Sequence, residues 1–180
     1  MALAALHANS LEENPLLLVL AADHAIRDIP AFHKAIGDAL TTADTGKLVT
    51  FGIQPDRPET GYGYIKTGGG PDTQSALNVE RFVEKPDLET AKGYLKEGGY
   101  YWNSGMFVFR AGDFLEELER FSPEVLDAAR QAYEKAATDM DFVRAHAEAF
   151  AEAPDISVDY AVMEQSGRVA CVPMDAGWSD

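Results

Sequence analysis

One cysteine is all this chain has. Cys171 alone cannot form an internal disulfide, so a disulfide-stapled secreted fold is excluded and a reducing cytoplasm is the expected setting. The residue sits in an apolar run and is expected to be buried and inert. Long apolar runs are missing too. None approaches the about 20 residues that a membrane span needs. The start, Met1-Ala2-Leu3-Ala4-Ala5-Leu6, carries no basic residue, and Glu12 and Glu13 follow, so no signal peptide is expected. Basic residues are scarce overall: 15 Lys and Arg stand against 30 Asp and Glu, a formal net charge of −15. Such a field argues against nucleic-acid binding and against docking on anionic membranes. Any anionic substrate would need a local cation or a metal ion to enter it.

What remains, 180 residues with 46% hydrophobic content, suits one soluble globular domain with a sizeable core. Leu16 to Leu20 is a continuous apolar run of strand length, as in a strand covered on both faces. Pro30 fits a helix's first turn, with Phe32, Ile36, Ala39 and Leu40 on one face and Gly46 past the end. Leu48 to Ile53, Tyr62 to Lys66 and Val79 to Glu84 read as strands, with Gly68-Gly69-Gly70-Pro71-Asp72 as a surface turn. Asp87 caps a helix that Gly98-Gly99 ends. Met106 to Phe109 reads as a short buried strand, and Asp113 as the cap of the next helix. Ser122-Pro123 restarts a helix by the cap-then-proline rule, and Val125 to Ala153 reads as two helices with a solvated charged face. Ser157 caps a helix through Glu164, and Val169 to Met174 is a last strand. The alternation predicts α/β with a largely parallel sheet and helices on both faces.

Two short runs fifteen residues apart carry chemistry: Phe82-Val83-Glu84-Lys85-Pro86 and Tyr101-Trp102-Asn103-Ser104-Gly105-Met106-Phe107. The first sets a carboxylate beside an ammonium at a strand end. The second sets an amide and a glycine among aromatics. Acceptors and amides for hydroxyls, a cation for phosphate and a glycine where backbone comes close are what a sugar phosphate needs.

Read in order, Leu20-Ala21-Ala22-Asp23-His24, Arg57 to Ile65, Phe82 to Pro86, Tyr100 to Phe107, Ser157 to Glu164 and Asp175-Ala176-Gly177-Trp178-Ser179-Asp180 resemble mannose-1-phosphate guanylyltransferases. The likeness is to the bacterial type often fused to mannose-6-phosphate isomerase, and it runs over essentially the whole chain. Two departures stand out. The family's glycine-rich nucleotide run, G-G-x-G-T/S-R-L-W-P, is absent, and Ala21 stands where relatives usually have proline. The resemblance implies a three-layer, mixed, largely parallel sheet of the nucleotide-diphospho-sugar transferase type. Residues 1–180 would be a partial nucleotidyltransferase domain, truncated at both ends.

The reaction implied is transfer of GMP from GTP to mannose 1-phosphate, giving GDP-mannose and pyrophosphate, with Mg²⁺. The nucleophile belongs to the substrate, so positioning and charge neutralisation carry catalysis. By residue, the resemblance gives Lys85 and Asp23 as catalytic, and Gly61, Gly63, Glu84, Lys85 and Asn103 as substrate-binding. Asp23 and Asp180 are the metal ligands, with Asp175 in reserve. His24, Tyr101 and Trp102 read as structural or as pocket wall, and Asp159 as complementing a helix dipole. The piece alone is expected to be inactive, and a bare sheet edge to favour a homo-oligomer. Two alternatives stay open: a nucleotidyltransferase for another sugar 1-phosphate, and a non-catalytic sugar-phosphate-binding relative.

Overall fold

Leu16–Val19 forms strand β1, as the apolar run predicts. It ends the strand order of the main sheet, however, and Leu18 and Leu20 are exposed, so it is not covered on both faces. In the computed structural model, which describes residues 1–71 and 75–180, the chain divides into two compact units.

One unit comprises Leu16–Phe109 and Gly167–Asp180. After β1 comes helix α2 (Ile29–Ala43), numbered after α1 (Ala2–Leu11) of the other unit. The Asp28 side chain caps α2 by accepting from the Ala31 N–H at 3.0 Å, and Pro30 occupies the first turn, where its missing donor costs nothing. Strands β2 (Leu48–Ile53), β3 (Tyr64–Pro71) and β4 (Leu77–Val83) follow. The predicted Gly-rich surface turn is strand as far as Pro71; Asp72 lies outside the described residues. Helix α3 (Leu88–Glu97) is capped by Asp87, which accepts from the Thr90 N–H at 2.8 Å, and it ends at Gly98 and Gly99, both at positive φ. Strand β5 (Tyr100–Arg110) is longer than the Met106 to Phe109 core the sequence suggests, and β8 (Val169–Pro173) closes the unit.

The sheet is mixed, in the order β1-β5-β2-β8-β4-β3, and β3 also pairs β5. It is not largely parallel. Of the pairings with a described register, only β2 with β8 is parallel; β2–β5, β3–β4, β3–β5 and β4–β8 are antiparallel. For β3 and β4 the cause is connection length. β3 and β4 are joined too closely for a crossover, so they return antiparallel. Helix α2 packs Phe32, Ile36 and Leu40 on a core of Val49, Phe51, Met106, Val108, Ala170 and Val172. Helix α3 packs Ala91 and Tyr94 against Tyr64, Tyr100 and Trp102.

The other unit comprises Met1–Pro15 and Arg110–Ser166. It holds α1, α4 (Ala111–Phe121), α5 (Pro123–Glu134), the hairpin β6 (Ala137–Asp139) and β7 (Phe142–Arg144), α6 (Ala147–Ala151) and a short π-helical turn, Asp159–Met163. Asp113 lies in the first turn of α4 rather than capping it. Ser122 does start α5, but its buried hydroxyl donates to the Ala161 carbonyl at 3.1 Å instead of capping. The expected second long helix is a hairpin plus one short helix. Met140, at φ +52, makes the two-residue turn, and Arg144 and Asp139 pair across it at 2.7 Å. No helix among the described residues is long and apolar enough to cross a membrane.

Candidate active site

Register builds the first half of the site. Tyr64 on β3 pairs with Val83 on β4 and with Trp102 on β5. One residue earlier on β3, one later on each antiparallel neighbour, Gly63 therefore lies between Glu84 and Asn103. The Asn103 N–H donates to the Gly63 carbonyl at 2.8 Å. A Cβ on Gly63 would stand 2.6 Å from Glu84 Oε2, 3.3 Å from Phe82 Cε1 and 3.4 Å from Asn103 Cβ. A side chain here would displace the Glu84 carboxylate, the end of a flexible side chain, and crowd Phe82 and Asn103. Gly61 is exposed, and its N–H donates to Glu59 Oε1 at 3.1 Å. The Thr60 N–H donates to the same oxygen, and the two bonds hold the Glu59 carboxyl below its ordinary range.

Beyond β4 the chain bends, and Lys85 takes a left-handed conformation, φ +45. Its ammonium stands 3.6 Å from Glu84 Oε1, with the lysine side chain 62% exposed and the glutamate 11%. An ion pair so open adds little stability. The mostly covered carboxylate and the exposed cation instead stand side by side at one strand end.

Asn103 is set by a bulge. Thr50 and Gly52 on β2 face Phe107 and Asn103 on β5, so three β5 residues, Ser104, Gly105 and Met106, oppose Phe51 alone. Gly105 carries φ +70, as such a bulge requires. Asn103 Oδ1 accepts from Thr50 Oγ1 at 2.8 Å and from the Gly105 N–H at 3.2 Å. The accepting capacity of this amide is thus committed inside the protein.

The second half joins segments from opposite ends of the unit. Ala25 and Ser179 exchange two backbone hydrogen bonds, 2.9 and 3.0 Å, in an isolated antiparallel bridge. The Arg27 and Asp28 N–H groups both donate to the Ala176 carbonyl. This sets the stretch after β1 against the stretch after β8. His24 Nε2 stands 3.8 Å from Asp180 Oδ1, and Trp178 Nε1 donates to His24 Nδ1 at 3.1 Å. Asp23 and Asp175 are exposed.

A row of rings links the halves. His24 meets Trp178 edge-on at 5.3 Å, Trp178 meets Tyr62 at 5.4 Å, and Tyr62 meets Trp102 at 5.3 Å. The Arg57 guanidinium stands 5.0 Å from the Trp102 ring centre. Burial, then the Asp180 charge, pushes the Tyr62 hydroxyl above its ordinary pKa, with Arg57 opposing. Trp102 Nε1 is buried without a hydrogen-bond partner. Of the residues the sequence singles out, Gly63, Glu84, Lys85 and Asn103 meet directly. Asp180 joins through His24 and the ring row. Asp23 is next to His24, whose Cε1 lies 4.0 Å from where a Gly105 Cβ would be. Asp159 and Tyr160 lie in the π-helical turn of the other unit. The ring row is not visible in the sequence; the placement of Tyr62, Trp102 and Trp178, each inside one of the six motifs, is its only signal there.

Comparison with known proteins bears on this arrangement. A model of the nucleotidyl transferase family matches residues 1–180. The chain belongs to that family. It is 55% identical over 185 residues to mannose-1-phosphate guanylyltransferase of Escherichia coli strain K12, a match taking in 100% of this chain and 39% of that protein. It is 56% identical over 180 residues to xanthan biosynthesis protein XanB of Xanthomonas campestris pv. campestris strain B100, with 100% of this chain and 38% of that protein covered. A crystal structure of mannose-6-phosphate isomerase from Helicobacter pylori superposes with a TM-score of 0.90 at 40% identity, covering 99% of this chain and 68% of that one. The chain thus spans less than two-fifths of the length of these curated relatives.

Nucleotidyl transferases handle highly charged phosphates, so the fit of a divalent cation matters. Asp23 and Asp180 lie on the same side of the antiparallel Ala25–Ser179 bridge, one on each segment, and both are hard oxygen donors. Among the described residues no three or more His, Cys, Asp or Glu gather into a closed ligand set. One or two carboxylates without a cage suit Mg²⁺, which keeps waters and takes phosphate oxygens as its remaining ligands. As a donor set, two carboxylates on neighbouring segments are of the kind this ion takes.

Proposed function

We propose that this chain supplies the sugar-phosphate side and the metal carboxylates of a mannose-1-phosphate guanylyltransferase, with GTP as the other substrate. The observation that carries the reading is the meeting of Gly63, Glu84 and Asn103 across three strands, with Lys85 at the rim. The names of the relatives supply the sugar. A three-layer nucleotide-diphospho-sugar transferase architecture and a cytoplasmic setting belong to the same reading.

The roles follow from the chemistry of each group. Gly63 leaves room for a pyranose to lie against backbone. Glu84, shielded from water by its surroundings, accepts hydrogen bonds from sugar hydroxyls. Lys85 neutralises the sugar's phosphate, a task for a compact ammonium that meets oxygens from several angles. Asn103 holds the bulge and shapes the pocket wall. A phosphate oxygen of mannose 1-phosphate attacks the α-phosphorus of GTP; the new P–O bond forms as the α–β bond breaks, and pyrophosphate leaves. No protein nucleophile is needed. Asp23 and Asp180 would hold Mg²⁺, which supplies charge neutralisation on the nucleotide phosphates. The chain carries no G-G-x-G-T/S-R-L-W-P run to seat those phosphates on backbone N–H groups, so by itself it is expected to bind the sugar ester and turn over little GTP.

The test is calorimetric titration of the purified chain with mannose 1-phosphate, glucose 1-phosphate and mannose. Preferential binding of mannose 1-phosphate, weakened about tenfold or more in Glu84→Gln and Lys85→Ala, is expected. Equal binding of both sugar phosphates would move the assignment to another sugar. Binding unchanged in both variants would remove the site from this strand end.

A further inference from the structure

Every residue of β6 and β7 is exposed, and so are apolar side chains at and beside the turn: Met140 is 84% exposed, Phe142 60% and Val143 46%. Two strands alone are marginally stable at best in water; a third strand or a packed helix is needed. Among the described residues no third strand joins these two. The helices do not close on them either. A pocket of about 210 Å³, lined by Leu3, Ala4, His7, Tyr133, Val143 and Ala145, lies between the hairpin and helices α1 and α5.

Register shows which groups are left over. Across the two-residue turn Asp139 pairs with Phe142, Thr138 with Val143 and Ala137 with Arg144. In such a hairpin the pair next to the turn is hydrogen-bonded and the following pair is not. Val143 therefore turns both its N–H and its C=O away from β6, toward the open edge. An antiparallel strand centred on Val143 takes up both. A second β7 fits that demand: a two-fold axis at Val143 lets the two copies exchange both bonds and sets Phe142 of each opposite Arg144 of the other. Arg144 already holds its guanidinium 5.3 Å from the Phe142 ring of its own strand, so each guanidinium would gain a second ring. Arg144 and Asp139 neutralise each other within one hairpin at 2.7 Å, which leaves Asp141 at the tip and Lys135 at the stem as the remaining charges of residues 135–144. The two-fold brings the acidic tip of one copy toward the basic stem of the other.

We propose that the free edge of β7 is a self-association surface, on which two copies of this chain join their hairpins into one four-stranded antiparallel sheet. The contact uses no residue of the sugar-phosphate site, so it stands or falls apart from that reading. Strands of three residues bury far less than the about 1,200 Å² of a stable interface, so the dimer is weak, with a dissociation constant on the order of 10–100 μM.

Sedimentation velocity of the full chain, over concentrations spanning that constant, should show monomer passing to dimer and nothing larger. Val143→Pro removes the outward N–H but no ladder bond of the hairpin. It should weaken the dimer at least about tenfold and leave the thermal midpoint nearly unchanged. Two substitutions at Phe142 test the register. A carboxylate there faces Arg144 of the other copy but Asp139 of its own hairpin, and an ammonium reverses both relations. Phe142→Lys should therefore dimerise about tenfold more weakly than Phe142→Glu, because the symmetry counts each pair twice. This comparison decides the matter should Val143→Pro disturb the hairpin. A chain that stays monomeric throughout would overturn the proposal, as would growth into open-ended assemblies. Equal weakening by both Phe142 substitutions would reduce the edge to an unspecific apolar patch and overturn the pairing. Association lost in Leu18→Lys, on the exposed strand β1, but kept in Val143→Pro would place the contact on the other sheet and overturn it too.

Discussion

The Asn103 N–H and the Gly63 carbonyl are 2.8 Å apart, so the β5 bulge is tied to the glycine that leads into β3. Because Glu84 Oε2 occupies the space a Gly63 Cβ would need, the three residues behave as one unit. Substitutions at any of them should disturb the other two.

Gly63→Ala is the sharpest probe. The new Cβ would overlap Glu84 Oε2 and crowd Phe82, which is buried and cannot retreat easily. The carboxylate must swing away. We expect a loss of about 1–3 kcal/mol of stability in urea denaturation, and mannose 1-phosphate binding reduced at least tenfold. Gly61 is the contrast: it is exposed, and a Cβ added there would come no nearer than 3.5 Å to any neighbour, so Gly61→Ala should change stability little.

Asn103→Ala takes the acceptor from both Thr50 Oγ1 and the Gly105 N–H. Thr50 is fully buried. Its hydroxyl retains only the longer contact, 3.3 Å, to the Met106 carbonyl. Denaturation midpoints should report a cost of about 1–3 kcal/mol, and a cycle with Thr50→Ala should show the two losses to be less than additive.

Lys85 separates binding from folding. Its φ of +45 is unfavourable for any residue with a Cβ. Lys85→Gly should leave the protein as stable as the parent or up to about 1 kcal/mol more stable, while Lys85→Ala keeps the backbone cost. Both should lose the phosphate-dependent part of sugar-phosphate affinity. Thermal denaturation read beside calorimetry distinguishes this from a lysine that serves the fold.

Cys171 gives a pH prediction. Burial pushes its thiol up to about 12. In the unfolded chain the same thiol ionises near its ordinary value of 9.0. Above that pH the unfolded state has released a proton that the folded state keeps. Stability from this group is therefore full below pH 9 and declines as pH rises toward 12, by about 1.4 kcal/mol per pH unit at most. Measured against Cys171→Ala between about pH 8 and 10.5, the parent should show this extra decline. The thiol should also resist alkylation until the protein unfolds.

Legibility in the sequence follows locality. The caps at Asp28 and Asp87 and the stop at Gly98-Gly99 can be read because each acts on residues three or four positions away. Ser122 misleads for the opposite reason: its hydroxyl finds a partner 39 residues distant. Sheet direction is misread because alternation of strand and helix suggests crossovers, while β3 and β4 are joined by too little chain for one. Glu84 and Gly63 are legible as motif residues, but that the glycine is demanded by the glutamate depends on a register no local pattern encodes. The ring row from His24 to Trp102 joins distant stretches, and each ring by itself reads as ordinary core.

The bridge between Ala25 and Ser179 also sets an order of events. Residues 23 to 28 leave the ribosome early, yet the backbone that clasps them is made long afterwards. Until β8 has docked and residues 175 to 180 have followed it, the early stretch has no partner for its amides, and the acidic pair has no fixed spacing. Nascent chains halted just before β8 should accordingly be cut by protease after β1, and should become resistant there only once the stretch through Asp180 has emerged.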